Sequence, residues 1–176
     1  MEYQAFDPNV EIIGAAVKSF MNSLVGGDVI SILKKYEIYP LEEDKWYNQQ
    51  TVLNVYKKVA EKNYMNLVAI GMKIPDQAVW PPDLTDIHAA LTSIGVAYSM
   101  NHRGGEIGEY LYEKTGECSG VMVCRNPYPS DFDYGLIYRV IQKFRGATSN
   151  TLLVKLDDSK PTRKNGADSC TYQLSW

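Results

Sequence analysis

The sequence predicts an α+β fold. It reads as one domain, residues 1–176, with an N-terminal helical layer of about five helices packed on a C-terminal antiparallel sheet that carries one inserted helix. Three observations lead there. Apolar residues recur at helical spacing through the first 100 positions. The period changes to strict alternation after Gly104-Gly105. No linker, repeat or low-complexity stretch divides the chain.

The elements follow in order. Ile13, Val17, Phe20 and Leu24 mark a first helix that Gly26-Gly27 stops, and a short second helix runs from Asp28 to Lys35. Val52, Val55, Tyr56 and Val59 mark a third, ending near Lys62. Leu67 to Ile74 reads as a fourth, halted by Pro75, and Pro81-Pro82-Asp83 opens a fifth with the stripe Leu84, Ile87, Leu91, Ile94, Tyr98. Residues 107–113 and 119–125 alternate as two strands around a turn at Thr115-Gly116. Pro127, Pro129 and Asp131 lead into the inserted helix, which carries Ile137, Val140, Ile141 and Phe144. Two more strands close the chain around Leu152–Asp157 and Cys170–Trp176.

Composition narrows the function classes. With 45% apolar and 22% charged residues in 176, the chain can bury a sizeable core and does not read as disordered. A net charge of −3 gives no basic face, so no nucleic-acid partner is expected, and Lys160, Arg163 and Lys164 read as a solvated turn. No apolar run approaches the roughly 18 residues of a membrane span, and Met1-Glu2-Tyr3-Gln4-Ala5 does not look like a signal peptide. A cytoplasmic location and three reduced thiols are the expectation from an odd cysteine count.

No nucleophile elbow, phosphate loop, dinucleotide fingerprint or HExxH helix is present, so no catalytic residues are assigned and no enzyme is expected. Two histidines exclude a multi-histidine metal site. His88 lies at the edge of the fifth helix's stripe, in register with Leu84, Leu91 and Gly95. It reads either as an iron ligand or as a core histidine bonded to a neighbouring carbonyl. His102 reads as an exposed helix-end residue, and Asp131 and Asp133 as carboxylates at a helix start. Arg125 enters the strand-to-helix loop Arg125-Asn126-Pro127-Tyr128-Pro129, where it could clamp an anion or pair with Asp131 or Asp133. Cys124 and Cys170 read as small buried hydrophobes or, more weakly, as metal ligands.

Two stretches carry a resemblance. Asp86-Ile87-His88-Ala89-Ala90-Leu91-Thr92 is similar to the helix that presents the haem ligand in nitric-oxide sensors, and Gly166-Ala167-Asp168-Ser169-Cys170-Thr171-Tyr172 is similar to a shared closing strand. With the order of elements, they make the chain resemble the superfamily of the haem–nitric-oxide-binding domains and the 4-vinyl reductase domains. Eukaryotic vesicle-tethering subunits are more distant members. The resemblance implies His88 as a proximal haem ligand. Of the Tyr-x-Ser-x-Arg haem motif it matches only Arg125, with Val121 and Val123 at the other two places. It also implies Cys124 and Cys170 as two of several zinc ligands, but Thr162 and Ser159 stand where others belong, so a complete zinc site is not expected.

The resulting expectation is a non-catalytic sensor or carrier domain. It would bind a small, mostly hydrophobic ligand between helices and sheet, walled by Tyr98, Tyr110, Tyr128, Tyr134 and Trp80 and anchored by Arg125. The alternatives are a haem-based gas sensor through His88, and a scaffold or tethering subunit that acts as a homodimer.

Overall fold

The computed structural model describes residues 1–21, 28–62, 65–146 and 151–176. The expected stop at Gly26-Gly27, and Leu24 before it, lie outside the described residues. Six helices and two antiparallel sheets follow: β1 (Glu11–Ile13), α1 (Gly14–Met21), α2 (Asp28–Lys35), β2 (Trp46–Asn48), α3 (Gln49–Lys62), α4 (Met65–Gln77), α5 (Ile87–Met100), β3 (His102–Arg103), β4 (Glu109–Gly116), β5 (Ser119–Arg125), α6 (Ser130–Phe144), β6 (Leu153–Leu156) and β7 (Ser169–Ser175). A short 3-10 turn, Arg163–Asn165, precedes β7. None of the described helices is long and apolar enough to cross a membrane.

The larger sheet has the order β4-β5-β7-β6. Alternation along its strands buries Tyr110, Met122, Cys124, Val154, Cys170, Tyr172 and Leu174 on one face. Leu111 and Leu153 are left exposed on the other. Helices α5 and α6 cover the buried face. The approach of α5 to β4 depends on Gly95, where a Cβ would lie 2.6 Å from the Tyr110 carbonyl oxygen.

Helices α4 and α6 cross with their backbones in contact. A Cβ on Gly71 would lie 2.2 Å from the Phe132 carbonyl oxygen, and one on Gly135 would lie 2.2 Å from that of Val68. Only glycine at both positions permits so close a crossing. Around it the core runs on through Phe20, Tyr56 and Phe132, with Phe20 stacked on Tyr56.

Three departures from the sequence expectations have local causes. The smaller sheet, β2-β1-β3, is too short to show a period, yet it pairs Ile12 with Tyr47 and with His102. Helix α4 continues through Pro75 to Gln77: the proline falls in the last turn, and its carbonyl accepts from Trp80 Nε1 (2.7 Å) and Lys143 Nζ (3.3 Å). Helix α5 starts at Ile87 and not at Pro81, because the Asp86 side chain caps it, accepting from Ala89 N at 2.9 Å.

Candidate functional site

The buried polar groups of the chain meet where the loop after β5, the first turn of α6, the 3-10 turn and the end of α5 come together. At the centre is an ion pair, Arg163 with Asp133, and both side chains are fully buried. Asp133 accepts from Tyr110 Oη at 2.5 Å, from Arg163 Nη2 and from Asn126 Nδ2 at 3.4 Å. Arg163 Nη1 donates to the Asn126 carbonyl oxygen at 2.9 Å and to Asn126 Oδ1. Burial raises the Asp133 carboxyl above its usual range, while the Arg163 charge and the three donors oppose that. With three donors converging on it, the group is a carboxylate.

Asn126 links this cluster to a second chain of bonds, since its Oδ1 accepts from Tyr128 N at 2.9 Å. Gln49 Nε2, at the start of α3, donates to Tyr128 Oη at 3.5 Å. Tyr128 Oη in turn lies 2.7 Å from His102 Nε2, and His102 Nδ1 lies 2.7 Å from the Tyr98 carbonyl oxygen. A carbonyl only accepts, so Nδ1 carries the proton and Nε2 accepts from the tyrosine. Burial lowers the His102 pKa to about 4, so the ring is neutral. Two buried polar atoms in this network have no partner among the described residues: Gln49 Oε1 and Arg163 Nε.

Three of the six expected pocket residues meet here. Tyr98 stands edge-on to Tyr110 and to Tyr128, with centroids 5.2 and 6.2 Å apart. The other three lie elsewhere. Tyr134 stacks on Tyr138, and Trp80 packs edge-on against Phe144 at the end of α4. Arg125 sits in the outward register of β5, with Val121 and Val123, because Met122 and Cys124 take the inward positions. It pairs with Glu106 (2.9 Å) and Asp168 (3.2 Å), not with Asp131 or Asp133, and so does not anchor the seam. The arginine buried at the seam is Arg163. It is buried in the core and not part of a solvated turn, because Asp133 and Asn126 draw its guanidinium inward. His102 is likewise buried, not exposed, and Asp133 points into the core while Asp131 pairs with Lys164 at the surface. Cys124 and Cys170 are free thiols directly opposite each other in β5 and β7, and Arg163 N donates to Cys170 Sγ. No group of three or more metal-ligating side chains occurs among the described residues.

No protein-family model matches the chain, and no curated protein matches it in sequence. Solved structures do match. An Fe(II) unliganded H-NOX protein from K. algicida aligns over 93% of this chain and 96% of its own, at 15% identity and a TM-score of 0.65. An H-NOX protein from S. oneidensis in the Fe(II)NO state aligns over 93% and 98%, at 13% identity and a TM-score of 0.65. An oxygen-binding H-NOX domain related to soluble guanylate cyclases, in its oxygen complex, aligns over 92% and 91%, at 16% identity and a TM-score of 0.63. The chain has the H-NOX fold. At these identities the likeness is one of architecture, and the site of this particular H-NOX fold rests on its own residues.

His88 lies in the first turn of α5, outside the network above. Its Nε2 lies 2.9 Å from the Glu117 carbonyl oxygen and its Nδ1 lies 2.5 Å from Tyr112 Oη. The carbonyl accepts only, so Nε2 carries a proton and Nδ1 accepts from the phenol. Trp176 meets the ring edge-on at 5.1 Å. Iron needs an imidazole nitrogen with a free lone pair. One nitrogen of His88 carries a proton and the other is taken, so in this arrangement the residues do not fit a haem.

Proposed function

We propose that this chain is a non-catalytic sensor or carrier domain that binds a small, mostly apolar molecule at the seam of α5, α6 and the sheet. The observation that carries the reading is the pair of partnerless polar atoms, Gln49 Oε1 and Arg163 Nε, in one buried network walled by Tyr98, Tyr110 and Tyr128. Buried donors and acceptors are almost always satisfied, by water or by a guest, so an orphan of each kind is consistent with a ligand that carries a polar end. The tyrosines offer apolar ring faces whose hydroxyls are fixed by Asp133, His102 and the Ile107 carbonyl. A reducing, cytoplasmic setting belongs to the proposal, in keeping with three free thiols. A homodimer does too, through the sheet face that exposes Leu111 and Leu153.

A second reading, haem-based gas sensing through His88, is favoured by one finding: similar solved structures are H-NOX proteins in Fe(II), nitric-oxide and oxygen states. The bonded state of His88 argues against it.

Differential scanning fluorimetry with fatty acids, short alcohols and an apolar dye tests the proposal. A ligand that binds only the folded chain raises Tm, by mass action. The Tyr128→Phe variant should reduce that rise. If no compound shifts Tm while native mass spectrometry of the purified protein shows the bare chain mass, the proposal fails.

A further inference from the structure

We infer that His88 serves this chain as a clasp and not as an iron ligand, so that whatever the domain senses is bound without haem. The second half of that inference rests on the sensor reading; the first stands on geometry alone.

The clasp joins three parts of the chain that are far apart in sequence. His88 opens α5, Tyr112 is in β4, Glu117 is at the tip of the β4–β5 hairpin, and Trp176 follows β7. The Trp176 N–H donates to the Cys118 carbonyl oxygen at 3.0 Å, so the same hairpin tip that holds the imidazole also holds the last residue. Tyr112 has a second fixed neighbour, because a Cβ at Gly120 would lie 2.4 Å from its hydroxyl oxygen. The phenol therefore reaches His88 across a gap that only glycine leaves open.

An iron-bound His88 would require the nitrogen that meets the metal to give up its partner, the Tyr112 phenol at Nδ1 or the Glu117 carbonyl at Nε2. The seam offers no compensation for that loss. Its inward-facing residues near the end of β5 are Met122, Cys124 and Asn126, and Asn126 is bound to the Arg163 guanidinium. A macrocycle in the seam would have to part the edge-on contacts of Tyr98 with Tyr110 and Tyr128 and the hydrogen bond of Tyr110 to Asp133. A large flat group in the seam would thus have to displace the buried network.

The test has two independent readouts on the full chain. In the first, the 15N-labelled imidazole spectrum is recorded without any ligand. His88 should show a protonated Nε2 and a hydrogen-bonded, unprotonated Nδ1, and Tyr112→Phe should shift the Nδ1 resonance more than that of Nε2. A His88 ring exchanging between tautomers, unaffected by Tyr112→Phe, overturns the clasp. In the second, the purified chain is mixed with stoichiometric ferric haem, reduced and passed through a desalting column. The wild type should retain no Soret absorbance above that of albumin-quenched controls, and His88→Gln should behave identically. A retained five-coordinate Soret band that His88→Gln abolishes overturns the haem-independent reading. Should His88→Gln not fold, Tyr112→Phe keeps the clasp test open and the wild-type titration decides on haem. A ligand screen that fails would sink the sensor reading while leaving both of these results in place.

Discussion

Replacing Arg163 with methionine isolates the energetic centre of the core. The substitution keeps an unbranched side chain of similar length but removes the charge that faces Asp133, and both groups are fully buried. Removing one partner of a buried pair leaves the other charge uncompensated, at a cost of about 3–5 kcal/mol. Asn126 also loses two donors, at its carbonyl and at Oδ1. Its backbone-facing bond from Tyr128 N remains, which limits that part of the loss. Against a total stability of roughly 5–15 kcal/mol for a domain, Arg163→Met should bring the chain close to unfolding. The companion variant Asp133→Leu should be nearly as damaging, because Arg163 is then the orphan. The double variant should regain much of the loss, since a buried pair replaced by apolar groups is often neutral. It will not regain all of it, because Tyr110 and Asn126 have then lost their acceptor, at roughly 1–3 kcal/mol. Urea denaturation of the four proteins closes the cycle, with an expected coupling of about 2 kcal/mol or more. Additive losses, or a single substitution costing under about 1 kcal/mol, would refute the account of a paired, desolvated core.

Three further outcomes are expected. Gly71→Ala places a methyl 2.2 Å from the Phe132 carbonyl oxygen, so α4 and α6 must part; thermal melts should show a loss of about 1–3 kcal/mol or more, and an unchanged Tm would mean the crossing is looser than described. His102 is held neutral with its pKa lowered from 6.5 to about 4, so the unfolded chain takes up its proton first as pH falls. The contribution is complete above pH 6.5 and lost on the way down to about 4, at most roughly 3 kcal/mol; His102→Gln should flatten denaturation midpoints across that window, and an identical pH slope in both proteins would contradict the buried, neutral ring. Glu2 Oε1 accepts from both the Ser130 N–H and its hydroxyl at 2.7 Å, capping α6 where Pro129 cannot, so Glu2→Ala should cost about 0.5–2 kcal/mol and speed hydrogen exchange in the first turn of that helix.

What the sequence disclosed and what it hid divide along the range of the interactions. The order of helices and strands was legible because burial on one face writes a period of 3.6 or 2 into consecutive residues, as in Ile87, Leu91, Ile94 and Tyr98 or in Met122 and Cys124. The three-residue strands β1 and β2 left no such trace. Arg163 looked like surface because its neighbours Lys160 and Lys164 are surface; the reason for its burial, Asp133, is 30 residues away. The burial of Asp133 is hidden for the same reason, because its partner Arg163 is equally distant along the chain. One local signal could have helped: Asp133, Leu136, Ile137, Val140 and Ile141 share the apolar stripe of α6, and a carboxylate on such a stripe needs a buried cation. Arg125, expected at the seam, lies in the outward register of β5, and one residue along a strand exchanges the two faces of a sheet.

The Arg163–Asp133 bond has a mechanical corollary. It rivets the first turn of α6 to the turn that feeds β7, while Tyr172 Oη, in β7 itself, donates to the Ser130 carbonyl oxygen at 2.7 Å in the same helix. Helix and sheet are therefore joined at two points near one end, and α6 cannot slide along the sheet without breaking one of them. The Gly71–Gly135 crossing, further along α6, is a smooth contact with no side chain interlocked at its centre. The C-terminal half of α6 is in turn tied to α4, by Arg139 to Asp76 at 2.8 Å and by Lys143 Nζ to the Pro75 carbonyl oxygen at 3.3 Å, so motion triggered at the seam would carry the two helices together as one arm, with the riveted end as fulcrum.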